Sequence, residues 1–303
     1  MILILMLIIS LLVVSLFRFS AVSEIQFLSS AAHQLCIDQI PHNSNFQAEL
    51  KALVCAENFT TLSATKTYAA SGLIHLFVVS GAHLILIERI LHFLTQKFKW
   101  SRLVVFSCLF GYAFICDLNA PVCRALVSFS LNQYLYSKNI VWPLVTRSLV
   151  IGLLTLLLNP AWATSLSLQM SWLAAFATSV GSDFLKNKNI FFRQLMFFIL
   201  LYPLLMFMQA PSLSTVLFNL FFAPVLEYVL FPLALLTCLL KPFYILFDLI
   251  LGFFNRLLGL LEADYTPALT AAPPDWVLIT WIMIFGLHFA THAYYVHRNR
   301  RLI

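Results

Sequence analysis

Long apolar runs separated by short polar segments make up most of this chain. A helix needs about 20 mostly apolar residues to cross the hydrocarbon core of a bilayer, and about ten runs approach that length. Lipid offers no partners for backbone polar groups, so such runs are expected to be helical. We therefore expect an all-α fold, a polytopic transmembrane helical bundle of about ten helices. The predicted helices cover roughly residues 1–17, 73–94, 103–118, 120–136, 144–159, 162–182, 190–209, 212–240, 242–261 and 276–295.

The eighth predicted helix, residues 212–240, is longer than a single span requires and contains two prolines. Proline removes a backbone hydrogen bond, and its ring clashes with the preceding turn. Pro224 and Pro232 therefore predict a kink or a discontinuous helix. Broken helices in membranes usually line a cavity. We expect one or more broken helices in the bundle.

One long polar stretch interrupts the apolar pattern near the N-terminus. Residues 1–17 predict an uncleaved transmembrane helix, although the AVS sequence at 21–23 also resembles a signal-peptide cleavage site. Residues 18–70 predict an external cap segment. Within it, apolar residues of the stretch FQAELKALVCAENF follow helical spacing, as in a helix that lies along a membrane surface. Residues 71–303 then predict one multi-helix membrane domain.

Composition agrees with a membrane protein and excludes an ordinary soluble domain. Hydrophobic residues make up 61% of the 303 residues, charged residues make up 10%, and the mean hydropathy is +0.92. An ordinary soluble domain has about 25% charged residues. The net charge of +6 does not by itself indicate a nucleic-acid binder, because most of the excess lies in short loops.

The basic loops predict how the chain lies in the membrane, because Lys and Arg are enriched in cytoplasmic loops. If the predicted helices alternate, these clusters fall on one side. Both termini are then cytoplasmic, residues 18–70 are external, and the chain is a multi-pass protein of the cytoplasmic (inner) membrane. The basic residues on the predicted cytoplasmic side are Lys97, Lys99, Arg102, Lys138, Arg147, Lys186, Lys188, Arg193, Lys241, Arg298, Arg300 and Arg301.

The six cysteines leave two pairings open. Cys36 and Cys55 both lie in the predicted external segment, where an oxidising compartment would permit a disulfide. Cys116 and Cys123 flank a predicted outer turn and form the other candidate pair. The remaining two, at membrane depth, are expected to pack as small apolar side chains.

Polar residues interrupt the second predicted helix in the stretch GLIHLFVVSGAHL, residues 72–84. Glycine lets backbones approach closely, and Ser or His can form hydrogen bonds between helices. His75, Ser80, Gly81 and His83 thus predict a tightly packed polar seam, which either serves only as structural glue or borders a hydrophilic route. The two histidines are eight positions apart and cannot chelate one ion on a straight helix, so we expect no metal site.

Four charged residues lie at predicted membrane depth, where a charge costs roughly 3 kcal/mol and usually faces a partner or a water-filled path. Arg124 is either a snorkelling interface residue or an internal cation. Glu227 is either protonated or paired with Arg124. Asp248 and Arg256 share a broad face of the ninth predicted helix without touching.

Signatures of soluble enzymes are absent from the sequence. There is no Gly-rich phosphate loop, no HExxH or HxHxD pattern and no Cys-x-x-Cys pair. We therefore expect neither an enzyme nor a bound cofactor or metal.

The same polar stretch carries a family resemblance. SGLIHLFVVSGAHL resembles the hallmark G-L-x-H-L-x-x-[VI]-S-G-x-H of the competence protein family, the ComEC type of membrane channel for DNA uptake. The matching residues are Gly72, Leu73, His75, Leu76, Val79, Ser80, Gly81 and His83.

The resemblance extends over about residues 46–240. Upstream, LKALVCAEN is similar to L-x-A-L-x-x-G-[ED], with alanine in place of the glycine. Downstream, Pro121, Arg124 and Ala125 resemble a P-x-x-R-A element. A later segment is similar to a pattern ending in Q-L-S-F through Gln169 and Ser171, with Met170 and Trp172 as departures, and an N-L-x-x-x-P segment is matched by Asn219, Leu220 and Pro224, with Pro232 as its later proline.

This resemblance implies a channel or permease that carries single-stranded DNA across the cytoplasmic membrane during natural transformation. Arg124 would face phosphates. Larger members also have an OB-like and a metallo-β-lactamase-like domain, and we expect neither here. A separate nuclease, DNA receptor and helicase-type motor would then be partners, and a homo-oligomer stays open. The transport path or polar seam is expected to contain His75, Ser80, Gly81, His83, Arg124, Gln169, Ser171, Asn219 and Glu227.

Two other functions stay open from the residues alone. An ion-coupled transporter of another solute would use Glu227, Asp248 and the histidines. A membrane scaffold without transport would use the polar residues only for packing.

Overall fold

The structure is a computed structural model that describes residues 21–57, 81–184, 195–202, 220–261 and 275–300, with Tyr68, Leu73, Phe77, Val79 and Phe192. These residues are helical or lie in connecting segments, which confirms the all-α prediction. The second predicted helix, 73–94, was placed too early, because Leu73, Phe77 and Val79 are not helical and the helix begins at Gly81. The helices are α1 Ala21–Gln39, α2 Gln47–Cys55, α3 Gly81–Thr95, α4 Ser101–Ile115, α5 Ala120–Ser137, α6 Leu144–Leu158, α7 Leu166–Phe184, α8 Leu220–Leu239, α9 Tyr244–Leu261 and α10 Asp275–Arg300. Short 3₁₀ turns lie at Pro160–Thr164 and Lys241–Phe243, and residues 195–202 are also helical.

Two described stretches are long and apolar enough to cross a membrane, Leu220–Leu239 and Lys241–Gly259. Two further apolar helices, α4 and α6, have 15 residues each. At 1.5 Å per residue such a helix is about 22 Å long, shorter than the roughly 30 Å hydrocarbon core. The predicted helices at 103–118, 120–136, 144–159 and 162–182 correspond to α4, α5, α6 and α7. The first predicted helix, 1–17, lies outside the described residues, and the number of membrane spans stays a prediction.

Helix α1 was not among the helices predicted from hydropathy. It packs along α4 and is tied to that helix's end by two hydrogen bonds. The Ser29 hydroxyl donates to Asp117 Oδ1 at 2.8 Å, and His33 Nδ1 lies 3.0 Å from the Ile115 carbonyl oxygen. The predicted external segment therefore begins with a helix docked on the bundle.

The predicted surface helix is present as α2, but its side chains are buried inside the protein. Leu50, Ala52, Leu53 and Val54 are at most 3% exposed. The hydroxyl of Tyr112 on α4 donates to the Val54 carbonyl oxygen at 2.9 Å. Because buried residues occupy more than one face, α2 is a core element between α1, α8 and α4 rather than a helix with one free polar face.

A disulfide joins α1 to α2. Cys36 and Cys55 are bonded, with their Cα atoms 5.9 Å apart. The other candidate pair is not joined, since Cys116 and Cys123 are both free thiols. Their sulfur atoms instead lie near backbone carbonyl oxygens.

Helix α8 is continuous from Leu220 to Leu239. Of the two outcomes predicted from the prolines, a kink or a discontinuous helix, the discontinuous helix is therefore not present in this part of the chain. Instead, residues Leu226–Leu230 form a π-helical turn, and the Phe231 N–H donates to the Leu226 carbonyl oxygen five residues earlier. Pro232 directly follows this turn and has no N–H of its own. The wide turn thus accommodates the proline without dividing the helix.

Three apolar clusters hold the described helices together. The first joins α2, α8 and α9 around Leu53 and Phe247. The second joins α6, α7 and α10 around Leu149 and Phe176. The third joins α3, α4 and α5 around Leu109. In lipid, this kind of close packing is the main source of helix association.

Helix α6 approaches its neighbours through glycine. The Trp172 indole of α7 lies so close to Gly152 that an added Cβ would meet the ring at 1.8 Å, and the indole N–H donates to the Ser148 carbonyl oxygen at 3.0 Å. Trp172 departs from the family pattern, which has phenylalanine there. The larger ring fits because Gly152 has no side chain.

Candidate transport site around Arg124

A tight turn between α4 and α5 sets the position of Arg124. Asp117 and Leu118 both have left-handed backbone conformations, with φ of 50° and 48°. Such conformations persist only where the surroundings fix them. Here the Leu118 N–H donates to the Ala113 carbonyl oxygen at 2.8 Å, and the Asn119 amide donates to the Ala56 carbonyl oxygen at 3.3 Å. The turn therefore fixes where α5 begins, and Arg124 lies one turn into that helix.

Arg124 is an internal cation and does not snorkel. The residue is 8% exposed. Its Nε donates to the hydroxyl oxygen of Ser171 on α7 at 2.9 Å. Two residues that the sequence marked independently are thus in direct contact.

Gly81, the first residue of α3, provides the space for this guanidinium. A Cβ atom added to Gly81 would lie 2.7 Å from Arg124 Nη2. The family hallmark and the P-x-x-R-A element therefore meet at this point. A side chain at position 81 would therefore require the end of the flexible Arg124 side chain to move.

The electrostatic surroundings of Arg124 are positive. Within the described part of the chain, no carboxylate forms an ion pair with it, including Glu227. Gly81 begins α3, while Arg124 and Ser171 lie in the first two turns of α5 and α7. The positive end of the α3 dipole therefore lies beside a buried cation. Such a site favours an anion.

His83 lies on another side of α3. It is fully buried, and its ring stacks on Phe231 of α8 with the ring centres 4.1 Å apart. This contact joins α3 to α8 just after the π-helical turn. No group of three or more metal-ligating side chains occurs among the described residues.

Gln169 positions the start of α7 instead of contacting Arg124. Its Nε2 donates to the Ala163 carbonyl oxygen at 2.9 Å. Its Oε1 is buried and has no hydrogen-bond partner among the described residues. Gln169 therefore anchors the preceding 3₁₀ turn, while Ser171 holds the guanidinium.

Glu227 is half-buried within the π-helical turn of α8. The proposed salt bridge to Arg124 is wrong, because both residues are described and they form no ion pair. His75, Ser80 and Asn219 lie outside the described residues, so their predicted places in the seam stay predictions.

Asp248 has a structural role that the sequence did not indicate. Its carboxylate accepts hydrogen bonds from the Ser44 hydroxyl at 2.6 Å and from the Asn45 N–H at 2.7 Å. It thus ties α9 to the turn before α2. Arg256, on the same helix, is exposed.

Sequence reasoning missed a cavity with a mixed polar and apolar lining, at the opposite ends of α3 and α5 from Gly81 and Arg124. It has a volume of about 460 Å³ and lies where α3 and α5 end and where α4 and α6 begin. Arg102 and Arg147 are among its lining residues. Both were noted only as loop charges that indicate topology, because nothing in the sequence shows that four helix ends enclose one space.

Comparison with known proteins places this chain in a family. A family model described as "Competence protein" matches residues 53–294, which is well over half of the chain and includes Gly81, Arg124 and Ser171. No curated protein and no solved structure matches the chain. The chain belongs to the competence protein family.

Proposed function

We propose that this protein is a membrane channel that carries single-stranded DNA across the cytoplasmic membrane during DNA uptake. The observation that carries the proposal is Arg124. It is a buried cation with no ion-pair partner among the described residues, and it lies where two segments that resemble motifs of this family meet, both within the residues that the family model matches.

The physical argument concerns the cost of such a residue. A buried charge without a counter-ion is unfavourable unless it contacts water or binds an anionic ligand when the protein functions. Ser171 satisfies only one of the five N–H donors of the guanidinium in the described structure. The remaining donors and the N-terminal end of α3 suit a phosphate group, since a guanidinium binds phosphate in a planar, two-pronged manner.

The outer surface supports a membrane location. On α9, Ile245, Leu249 and Phe253 follow at four-residue spacing and are 61%, 67% and 68% exposed. Apolar side chains in such a stripe are expected to face lipid or another protein. With the two helices of membrane length, this stripe favours insertion in a bilayer.

Other parts of the uptake process would come from separate proteins. The sequence has no nucleotide-binding loop, so a helicase-type motor would supply the driving force. A nuclease and a DNA receptor would be further partners, and several copies of the chain could form one pore.

Reconstitution in liposomes tests the proposal. Passage of a fluorescent single-stranded oligonucleotide should fall about tenfold or more in Arg124→Met, because hydrogen bonds between charged groups are worth about 1.5–3 kcal/mol. Methionine keeps most of the buried volume, so folding should survive. Arg124→Lys retains the charge and should recover part of the activity. Arg256→Gln removes an exposed cation and serves as the matched control.

A second candidate function is favoured by one observation. Glu227 lies in a π-helical turn, a distortion that occurs often at functional sites. If the protein is an ion-coupled solute transporter, Glu227→Gln should abolish pH-dependent uptake of the solute, and the protein should neither bind nor transport DNA. If wild-type protein neither binds nor passes DNA at low salt, the channel proposal is wrong.

A further inference from the structure

A cavity of about 460 Å³ lies toward the C-terminal ends of α3 and α5, and its lining on α5 runs from Phe129 to Tyr136. Helix α3 begins at Gly81, and α5 begins one turn before Arg124. Both helices end beside this cavity, where α4 and α6 begin. The loops at this end carry the basic residues that predict the cytoplasmic side. Small-molecule sites in proteins typically have volumes of about 300–1,000 Å³, so the cavity could hold a group of nucleotide size.

The cavity has a positive balance of charge. Arg102, Arg147 and His92 line it together with one carboxylate, Glu88. Arg147 Nη1 donates to Asn132 Oδ1 at 3.0 Å, which holds the guanidinium in place. Its Nε is buried and has no hydrogen-bond partner in the described part of the structure. Donors therefore remain for an anionic group inside the cavity.

Flat aromatic surfaces lie beside these cations. The Arg102 guanidinium lies over the Tyr136 ring, 5.1 Å from its centre. Trp142 also lines the cavity. Aromatic and guanidinium planes are the surfaces on which nucleic-acid bases stack. The amide groups of Asn132 and Gln133 add hydrogen-bonding capacity.

We infer that this cavity binds one nucleotide unit of a nucleic-acid strand, with the phosphate held by Arg147 and Arg102 and the base stacked on Tyr136 or Trp142. The inference rests on the proposed function and adds a second contact point for the strand. Free inorganic phosphate would not need the aromatic surfaces. The amides and Glu88 in the lining favour a nucleotide over the acyl region of a lipid.

Binding of a short oligothymidine to purified protein in detergent, measured by fluorescence anisotropy over a range of salt, tests the site. Arg102→Gln should weaken binding about tenfold. The negative slope of log K against log salt should become shallower by about 0.7, the value for one lost phosphate contact on a single strand. Arg147→Gln should do the same. Arg89→Gln is the matched control, because Arg89 is exposed on α3 and does not line the cavity.

Tyr136→Leu separates stacking from charge. It should weaken binding, about tenfold, while leaving the salt slope unchanged. An oligonucleotide with 4-thiothymidine should cross-link to Tyr136 or Trp142 in the wild-type protein, as mapped by mass spectrometry.

The outcomes distinguish the two proposals. If the protein passes DNA but the Arg102 and Tyr136 variants bind like the wild type, the cavity inference is wrong and the channel remains. Equal losses in the Arg89 control would also overturn it, since only general charge would then matter. If the cavity binds the oligonucleotide while reconstituted protein passes none, the channel proposal fails and the site stands.

Discussion

Two glycines determine where large side chains lie between the helices. Gly81 leaves space for the Arg124 guanidinium, and Gly152 leaves space for the Trp172 ring. The two differ in what an added methyl group would displace. At position 81 it meets the end of a flexible side chain, whereas at position 152 it meets the rigid ring of a buried tryptophan. The first change should therefore move a charge, and the second should disturb packing.

Gly152→Ala should lower the free energy of unfolding by about 1–3 kcal/mol, because overpacking forces the indole out of its position and strains its bond to Ser148. Thermal unfolding in detergent measures the change. Gly111→Ala is the control, since nothing lies within 4 Å of the added atom on α4. It should be neutral or stabilising by up to about 1 kcal/mol, as alanine favours helix. Equal melting temperatures for both variants would contradict the packing argument.

At the residue scale, the sequence identified members of the site but not their contacts. Gly81 and Arg124 were singled out because small or charged residues at membrane depth are unusual or costly, and Ser171 was singled out by the resemblance to the family pattern. Their meeting could not be predicted, since they come from three separate helices. Asp248 was considered only as a residue of an ion-coupled transporter. Its structural role could not be predicted, because its partners, Ser44 and Asn45, lie about 200 positions away in the chain.

At the scale of elements, α2 is held in place by a disulfide and by hydrogen bonds to a distant helix. The Cys36–Cys55 disulfide joins α1 to α2, and Asp248 joins α9 to the turn before α2. Each holds α2 in the first apolar cluster. Helix α1 was not predicted because its sequence mixes polar and apolar residues without a long apolar run. Helix α2 was predicted to lie on a membrane surface because helical spacing alone does not show how many faces of a helix are packed against other helices.

Replacing both Cys36 and Cys55 by serine should lower the free energy of unfolding by about 3 kcal/mol, the value expected for a closed loop of this length. Melting temperature with and without reductant measures it. Cys108→Ser, at an exposed free thiol, is the control. Reductant should lower the melting temperature of the wild type and leave that of the double variant unchanged. A wild type insensitive to reductant even when fully reduced would contradict this prediction.

Asp248→Asn should lower the free energy of unfolding by about 1.5–3 kcal/mol, because an amide cannot accept both hydrogen bonds that the carboxylate accepts. Passage of DNA per folded molecule should stay unchanged, as Asp248 belongs to the fold. Arg256→Gln on the same helix is the control for both measurements. A variant of normal stability that lost pH-dependent solute uptake would instead favour the ion-coupled transporter.

At the scale of the whole molecule, the all-helical architecture followed from the apolar runs, while the arrangement of the helix ends did not. The bundle has a buried cation near the N-terminal ends of α3, α5 and α7 and a cavity where α3 and α5 end. Helix positions in the chain were predictable within a few residues between α4 and α7. The continuous course of α8 was not, because a π-helical turn can absorb a proline that would otherwise divide the helix.

The disulfide also indicates how the protein would be oriented in a membrane. Cys55 follows Val54, whose carbonyl oxygen accepts from Tyr112 near the turn that leads into α5, so the bond and Arg124 share one end of the bundle. Structural disulfides persist in oxidising compartments and are rare in the cytosol. In the proposed membrane setting, an arriving strand therefore encounters Arg124 first and the cavity last, which is the sequence of events that import requires. In a molecule inserted with the opposite orientation, Cys36 and Cys55 would stay reduced, so the redox state of these two cysteines would distinguish the two orientations.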